Sequence, residues 1–206
     1  MDTPRRAPGR PKGTGKVDPD DIIAAAVDAL ATGGYKALSM RGIARSLGVS
    51  LSTVQHHYPT KDELWRAAVD RLAATTIDRQ RSTDLSDVAG SIANELAAHR
   101  IQPGLIIALL TDTDDGSKER IAYLAQRFST MLARPADELH ELEQRGLMRP
   151  VNADALFALF AIGIGAIAGA APALAAIFGY DVTTDTGRKE FADDLADILV
   201  LGLRPR

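Results

Sequence analysis

Around Ser50 the chain gathers side chains that donate and accept hydrogen bonds. Ser50, Ser52, Thr53, Gln55, His56 and His57 follow one another closely, with Lys61 just beyond and Arg41 just before. Hydroxyl, amide and imidazole groups in that density suit base edges and phosphates. Gln55 can bond adenine through two atoms. Arg41 can pair with guanine O6 and N7 or with a phosphate. Leu51 offers apolar contact to a thymine methyl. Ser52 and Thr53 suit the backbone or a methyl, and His56 and His57 suit phosphate or base. Lys61, at a helix start, suits a phosphate.

Such a reading face needs elements that hold it out, and the flanking residues supply them. Ser39 caps a helix whose apolar positions Met40, Ile43, Ala44 and Leu47 fall at i, i+3, i+4 and i+7. Gly48 ends it, since glycine tolerates the left-handed cap. Ser50 caps a second helix with Leu51, Val54 and Tyr58 on its inner side, and Pro59 stops it at Tyr58. Thr60 and Glu63 are spaced as a capping box that opens the next helix at Lys61. Two short helices joined by a glycine turn, the second polar outside, are a helix-turn-helix. Upstream, Asp18-Pro19-Asp20-Asp21 starts a first helix carrying Ile22, Ile23, Ala26, Val27 and Leu30 as far as Gly33-Gly34. Tyr35 follows, suited to the core or to a phosphate.

The run 22–64 resembles the DNA-binding domain of TetR/AcrR-type transcriptional regulators. The resemblance rests on Ile22, Ala25-Ala26, Leu30, Gly34, Leu38-Ser39-Met40-Arg41, Ile43-Ala44, Gly48-Val49-Ser50, Thr53-Val54, His57-Tyr58 and Lys61-Asp62-Glu63-Leu64. Two positions depart from the family pattern: Ser52 stands where Gly or Pro is common, and Gln55 where Tyr is usual. These leave the fold alone and bear on the operator sequence. The resemblance implies an all-α chain: an N-terminal three-helix helix-turn-helix domain followed by a helical ligand-binding and dimerisation domain. It divides the chain into 1–16, 17–65 and 66–206. It also implies that the helix from Lys61 links effector to DNA mechanically.

The 206 residues, 46% hydrophobic and 25% charged, suffice for a substantial core. There is no cysteine, hence no disulfide framework. The N-terminus is basic and rich in Pro and Gly, without the apolar run of a signal peptide, so a cytoplasmic protein is expected. Net charge is −3 overall but +4 over 1–82 and −7 over 83–206, as befits a DNA reader joined to a non-DNA module. Residues 1–16 read as a disordered basic arm. Gly9-Arg10-Pro11 resembles the core of an AT-hook, which puts Arg10 forward for the minor groove of A·T-rich DNA.

Beyond the reading head, Leu64, Trp65, Ala68, Val69 and Leu72 line the helix from Lys61, with Trp65 as an anchor between domains. A helix is expected over 84–100 (Val88, Ile92, Leu96, His99), and a short buried one over 105–110. The loop TDTDDG at 111–116 lacks the later glycine and glutamate of a calcium loop. A helix over 117–133 turns Ile121, Leu124, Ala125 and Phe128 inward, Pro135 kinks or restarts it, and 146–150 is a turn. The stretch 155–180 has no charge. It is Ala/Gly-rich, cut by Pro172, flanked by Asp154 and Asp181, and capped by Asn152. It therefore reads as a buried helix pair of a soluble bundle rather than a membrane span. The last helix, from about Asp185, places Phe191, Leu195, Ile198, Leu199 and Leu203 on one side. Together, helices over about 153–178 and 186–203 would give each subunit half of a four-helix homodimer interface.

The second domain is by resemblance the inducer site, for a small, largely apolar effector and with no cofactor. Candidates for its lining are Leu96, His99, Leu110, Tyr123, Phe128, Met131, Phe157 and Phe160. His99 and His140 lack companions for a metal site. No Gly-rich phosphate loop, nucleophile elbow or HExxH is present, so an enzyme is not expected. The expected function is a sequence-specific, ligand-released dimeric repressor on a palindromic operator. The alternative is an architectural, A·T-preferring DNA binder without an inducer.

Overall fold

The computed structural model describes residues 17–80, 87–101 and 117–203, without the side chains of 99–101, 117, 161, 201 and 203. Arg10, Leu110, the arm over 1–16, the helix expected over 105–110 and the loop 111–116 lie outside the described residues, as does the side chain of His99. The described residues are all-α, with no strand among them. In order they form α1 (Pro19–Ala37), α2 (Met40–Ser46), α3 (Leu51–His57), α4 (Lys61–Gln80), α5 (Val88–Ile101) and α6 (Ser117–Gln144). Then come α7 (Ala153–Ala158), a π-helical turn (Leu159–Ile164), α8 (Gly165–Gly169), α9 (Ala171–Phe178) and α10 (Asp185–Leu203).

Local chemistry sets most boundaries. Asp18, Ser39, Ser50 and Asn152 each accept a backbone N–H at the start of their helices, and Asp87 Oδ1 accepts Gly90 N at 2.8 Å before α5. Each such cap is worth about 1 kcal/mol. Gly146, at φ 69°, closes α6, with its N–H on Glu143 O and that of Leu147 on Leu142 O. Inside α1, Gly33 and Gly34 leave helical geometry, so the helix proper breaks there and a last turn is set off at an angle.

Two cores form. The first joins α1 to α4 through Ile22, Leu30, Leu38, Ile43, Val54, Leu64, Trp65, Val69 and Leu72, and takes in Leu124 and Met131 of α6. Packing therefore does not part at 65–66, where the sequence reading divides the chain. The second joins α5, the π turn, α8, α9 and α10 through Ile92, Leu96, Ile164, Ala171, Ala192 and Ala196.

Four expectations change. Pro135 neither ends nor restarts the helix: α6 runs unbroken through it. The buried positions Leu124, Met131, Pro135 and Leu139, with half-buried Phe128 among them, keep one helical stripe across the proline. One missing N–H is tolerated for the sake of that register. Ile121 and Ala125 are exposed, because α6 meets α4 at this end with Arg120, Tyr123, Leu124 and Arg127. The stretch 153–178 is not a buried pair within one chain. It bends by 79° at the break before α9, and Leu159, Ile162, Ile177 and Phe178 stay exposed. Ile198 likewise parts from Phe191, Leu195 and Leu199: these three pack on the second core with Ala192 and Ala196, while Ile198 is exposed. Among the described residues no single helix is long and apolar enough to cross a membrane; only the bent pair passes, both parts taken together.

Candidate nucleic-acid interface

α3 is held from beneath and open above. Val54, fully buried, is its anchor in the first core, and half-buried Leu47, Val49 and Tyr58 pack around that core. Gly48, at φ 67°, makes the turn from α2 that an L side chain would strain. With Val54 inward, Ser52, Gln55 and His56 point to solvent, and Thr53 and His57 lie half-buried at the flanks. Leu51 is half-buried as well. His56 and His57 meet edge to face, their ring centres 5.3 Å apart. Arg41 is exposed on the first turn of α2. Ser52, Gln55 and His56 thus share the solvent side of α3, and Arg41 is exposed on the helix before it.

Ser50 behaves differently from its neighbours. Its Oγ accepts Thr53 N at 3.1 Å and lies 2.7 Å from Ser52 Oγ and 2.8 Å from Thr53 Oγ1. One hydroxyl donor and two acceptor sites are filled by those three partners. Ser50 is therefore the cap, while Ser52 and Thr53 keep bonding capacity for an outside group.

The Lys61 end of α4 lies under the same head. Thr60 Oγ1 accepts Glu63 N at 3.1 Å. Lys61 is half-buried, with Nζ 4.0 Å from the centre of the Tyr35 ring, so its ammonium is seated on an aromatic face close to the α4 start. Tyr35 is both core and polar contact: its ring meets Trp65 edge-on at 6.3 Å, and its hydroxyl donates to Asp62 Oδ1 at 2.6 Å. Tyr58, closing α3, has its phenol pushed above the ordinary tyrosine range, first by burial and then by Asp20.

Among the described residues, those proposed for an effector do not come together. Tyr123, Phe128 and Met131 pack with the first core. The Tyr123 hydroxyl donates to Asp70 Oδ1 at 2.7 Å and receives Arg127 at 2.9 Å, an internal tie between α4 and α6. Leu96 and Phe160 belong to the second core, and Phe157 is half-buried on α7. His140 lies 2.9 Å from Gln144. The sequence reading did not foresee Arg120, Asp70, Arg127 or the Arg79–Glu95 pair at 3.0 Å between α4 and α5. No spacing within one helix announces a contact with another. The one usable signal was Gly34 directly before Tyr35.

A helix-turn-helix with a polar outer face on its second helix is what major-groove reading requires. Residues 22–68 match the family described as bacterial regulatory proteins, tetR family. No curated protein matches the chain significantly. The match spans α1 to the first turns of α4, the elements that build and carry the reading face. Through residues 22–68 the chain carries the helix-turn-helix domain of the tetR family of bacterial regulatory proteins, DNA-binding regulators of transcription.

Proposed function

We propose that the protein is a homodimeric repressor that reads a palindromic operator through α3 and leaves it when a small, largely apolar molecule binds the helical domain. One observation carries the DNA half: buried Val54 fixes α3 so that Ser52, Gln55 and His56 face outward. Dimerism is supported by the uncovered apolar side chains Leu159, Ile162, Ile177, Phe178 and Ile198, which fall within the two stretches, 153–178 and 186–203, read as the dimer helices. Release follows if the effector prefers a state whose two heads are wrongly spaced for the half-sites. Its site belongs to the second core around Leu96 and Phe160. The cytoplasm is the compartment where such a regulator meets DNA.

The test is selection of bound duplexes from a random pool at near-physiological salt, for wild type and for a Gln55→Ala, His56→Ala variant. Wild type should enrich one palindrome, and the variant should lose or relax it. Base contacts of this kind carry about 1–3 kcal/mol each. A·T-rich DNA bound equally by both proteins would instead establish the architectural reading through Arg10.

A further inference from the structure

We propose that Arg120 is a positioning residue for DNA binding. From the first turn of α6 it holds Tyr35, and through Tyr35 it holds the Lys61 end of α4 in the pose that meets a phosphate. The inference rests on reading α3 and Lys61 as DNA-facing.

Arg120 is only 8% exposed, too buried to meet DNA itself. Its guanidinium carbon lies 3.8 Å from the centre of the Tyr35 ring, and Lys61 Nζ lies 4.0 Å from the same centre. The Tyr35 hydroxyl is held by Asp62, next to Lys61 in the chain. One ring therefore collects the end of α1, the first turn of α4 and the first turn of α6. It is fixed from the side by Trp65, itself 1% exposed and packed on Tyr123 at 5.6 Å. Gly34 aims Tyr35 into this position with φ 61° and ψ −148°, a region open essentially to glycine alone.

A cation over an aromatic face gains strength when both are withdrawn from water, as Arg120 is here. Asp62, Trp65, Arg66, Glu119 and Arg120 also enclose a cavity of about 30 Å³. That is room for about one water and not for an organic effector, so at this junction side-chain contact does the coupling. α6 begins directly after residues 102–116. A shift at the start of α6 would move Arg120 and, with it, Tyr35 and Lys61, by a path that does not run along α4.

The experiment measures affinity for a labelled mixed-sequence duplex at low salt, where phosphate contacts dominate. Wild type, Arg120→Ala, Arg120→Lys, Lys61→Ala and the Lys61→Ala, Arg120→Ala double variant are compared, with melting curves for each. Arg120→Ala should bind about five-fold more weakly, the scale of one partly desolvated cation–π contact. Arg120→Lys should keep most of the affinity. In the Lys61→Ala background the Arg120 change should add little, because its effect passes through Lys61. If Arg120→Ala does not melt cooperatively, Arg120→Gln replaces it in the same cycle. Wild-type affinity in the Arg120 variant, or a loss that adds in full to that of Lys61→Ala, overturns the proposal while the DNA-facing reading stands. Unchanged binding by Lys61→Ala and by the Gln55→Ala, His56→Ala variant together would remove that reading as well.

Discussion

Ser50 and Tyr123 show how one hydroxyl can settle the role of a residue. Ser50 accepts Thr53 N and shares hydrogen bonds with two neighbouring hydroxyls, so Ser50→Ala should destabilise the fold by about 1 kcal/mol in a denaturant titration. Base preference in the duplex selection should stay as in wild type. Tyr123 sits between Asp70 and Arg127, and its phenol is pushed above the ordinary tyrosine range, first by burial and then by the hydrogen bond to Asp70. A raised folded value means that the unfolded chain gives up this proton first as pH rises. Its contribution is whole below the ordinary tyrosine range and is lost as pH climbs through the folded value. Tyr123→Phe should cost about 0.5–1.5 kcal/mol near neutrality and soften the alkaline fall of the melting temperature. An alkaline limb as steep as that of wild type would show that Tyr123 has no part in it.

At the scale of the element, Gly34 and Pro135 are opposite cases. Gly34 is indispensable to a break: at φ 61° and ψ −148° it separates the last turn of α1 from the helix proper and delivers Tyr35 to α4. Gly34→Ala should therefore lower stability by about 1–3 kcal/mol, the cost of holding a side-chain residue in that region. Thermal or urea unfolding would show it, and a change within a few tenths would mean that the turn relaxes freely. Pro135 was expected to kink or restart α6, and the helix is not restarted there. The proline rule is local, whereas the stripe from Leu124 to Leu139 is anchored on other helices, and burial along the whole stripe outweighs one absent hydrogen bond.

For the whole molecule, large apolar residues stand exposed among the described residues. Ile177 is 70% exposed, and Phe178 and Ile198 are each 68% exposed. In a dimer these faces would be interior. A Phe178→Glu, Ile198→Glu variant should sediment as a monomer where wild type sediments as a dimer, and it should lose the two-half-site operator while keeping helical content. A wild-type monomer at micromolar concentration would remove dimerism from the proposed function.

The amino-acid order alone determined the reading head: the caps at Asp18, Ser39 and Ser50, the turn at Gly48, and the outward face of Ser52, Gln55 and His56. These are decided within a few residues, by a side chain bonding a nearby N–H or by a periodicity along one helix, so they can be read without knowing the neighbours. Only the tertiary structure decided that Arg120 lies on Tyr35, that Asp70 ties Tyr123 and Arg127, and that Tyr123 and Leu96 belong to different cores. It alone separated Ile198 from the other apolar residues of its helix. These depend on which helices meet and at what rotation, and hydrophobicity along a chain says that a face needs covering without saying which surface covers it.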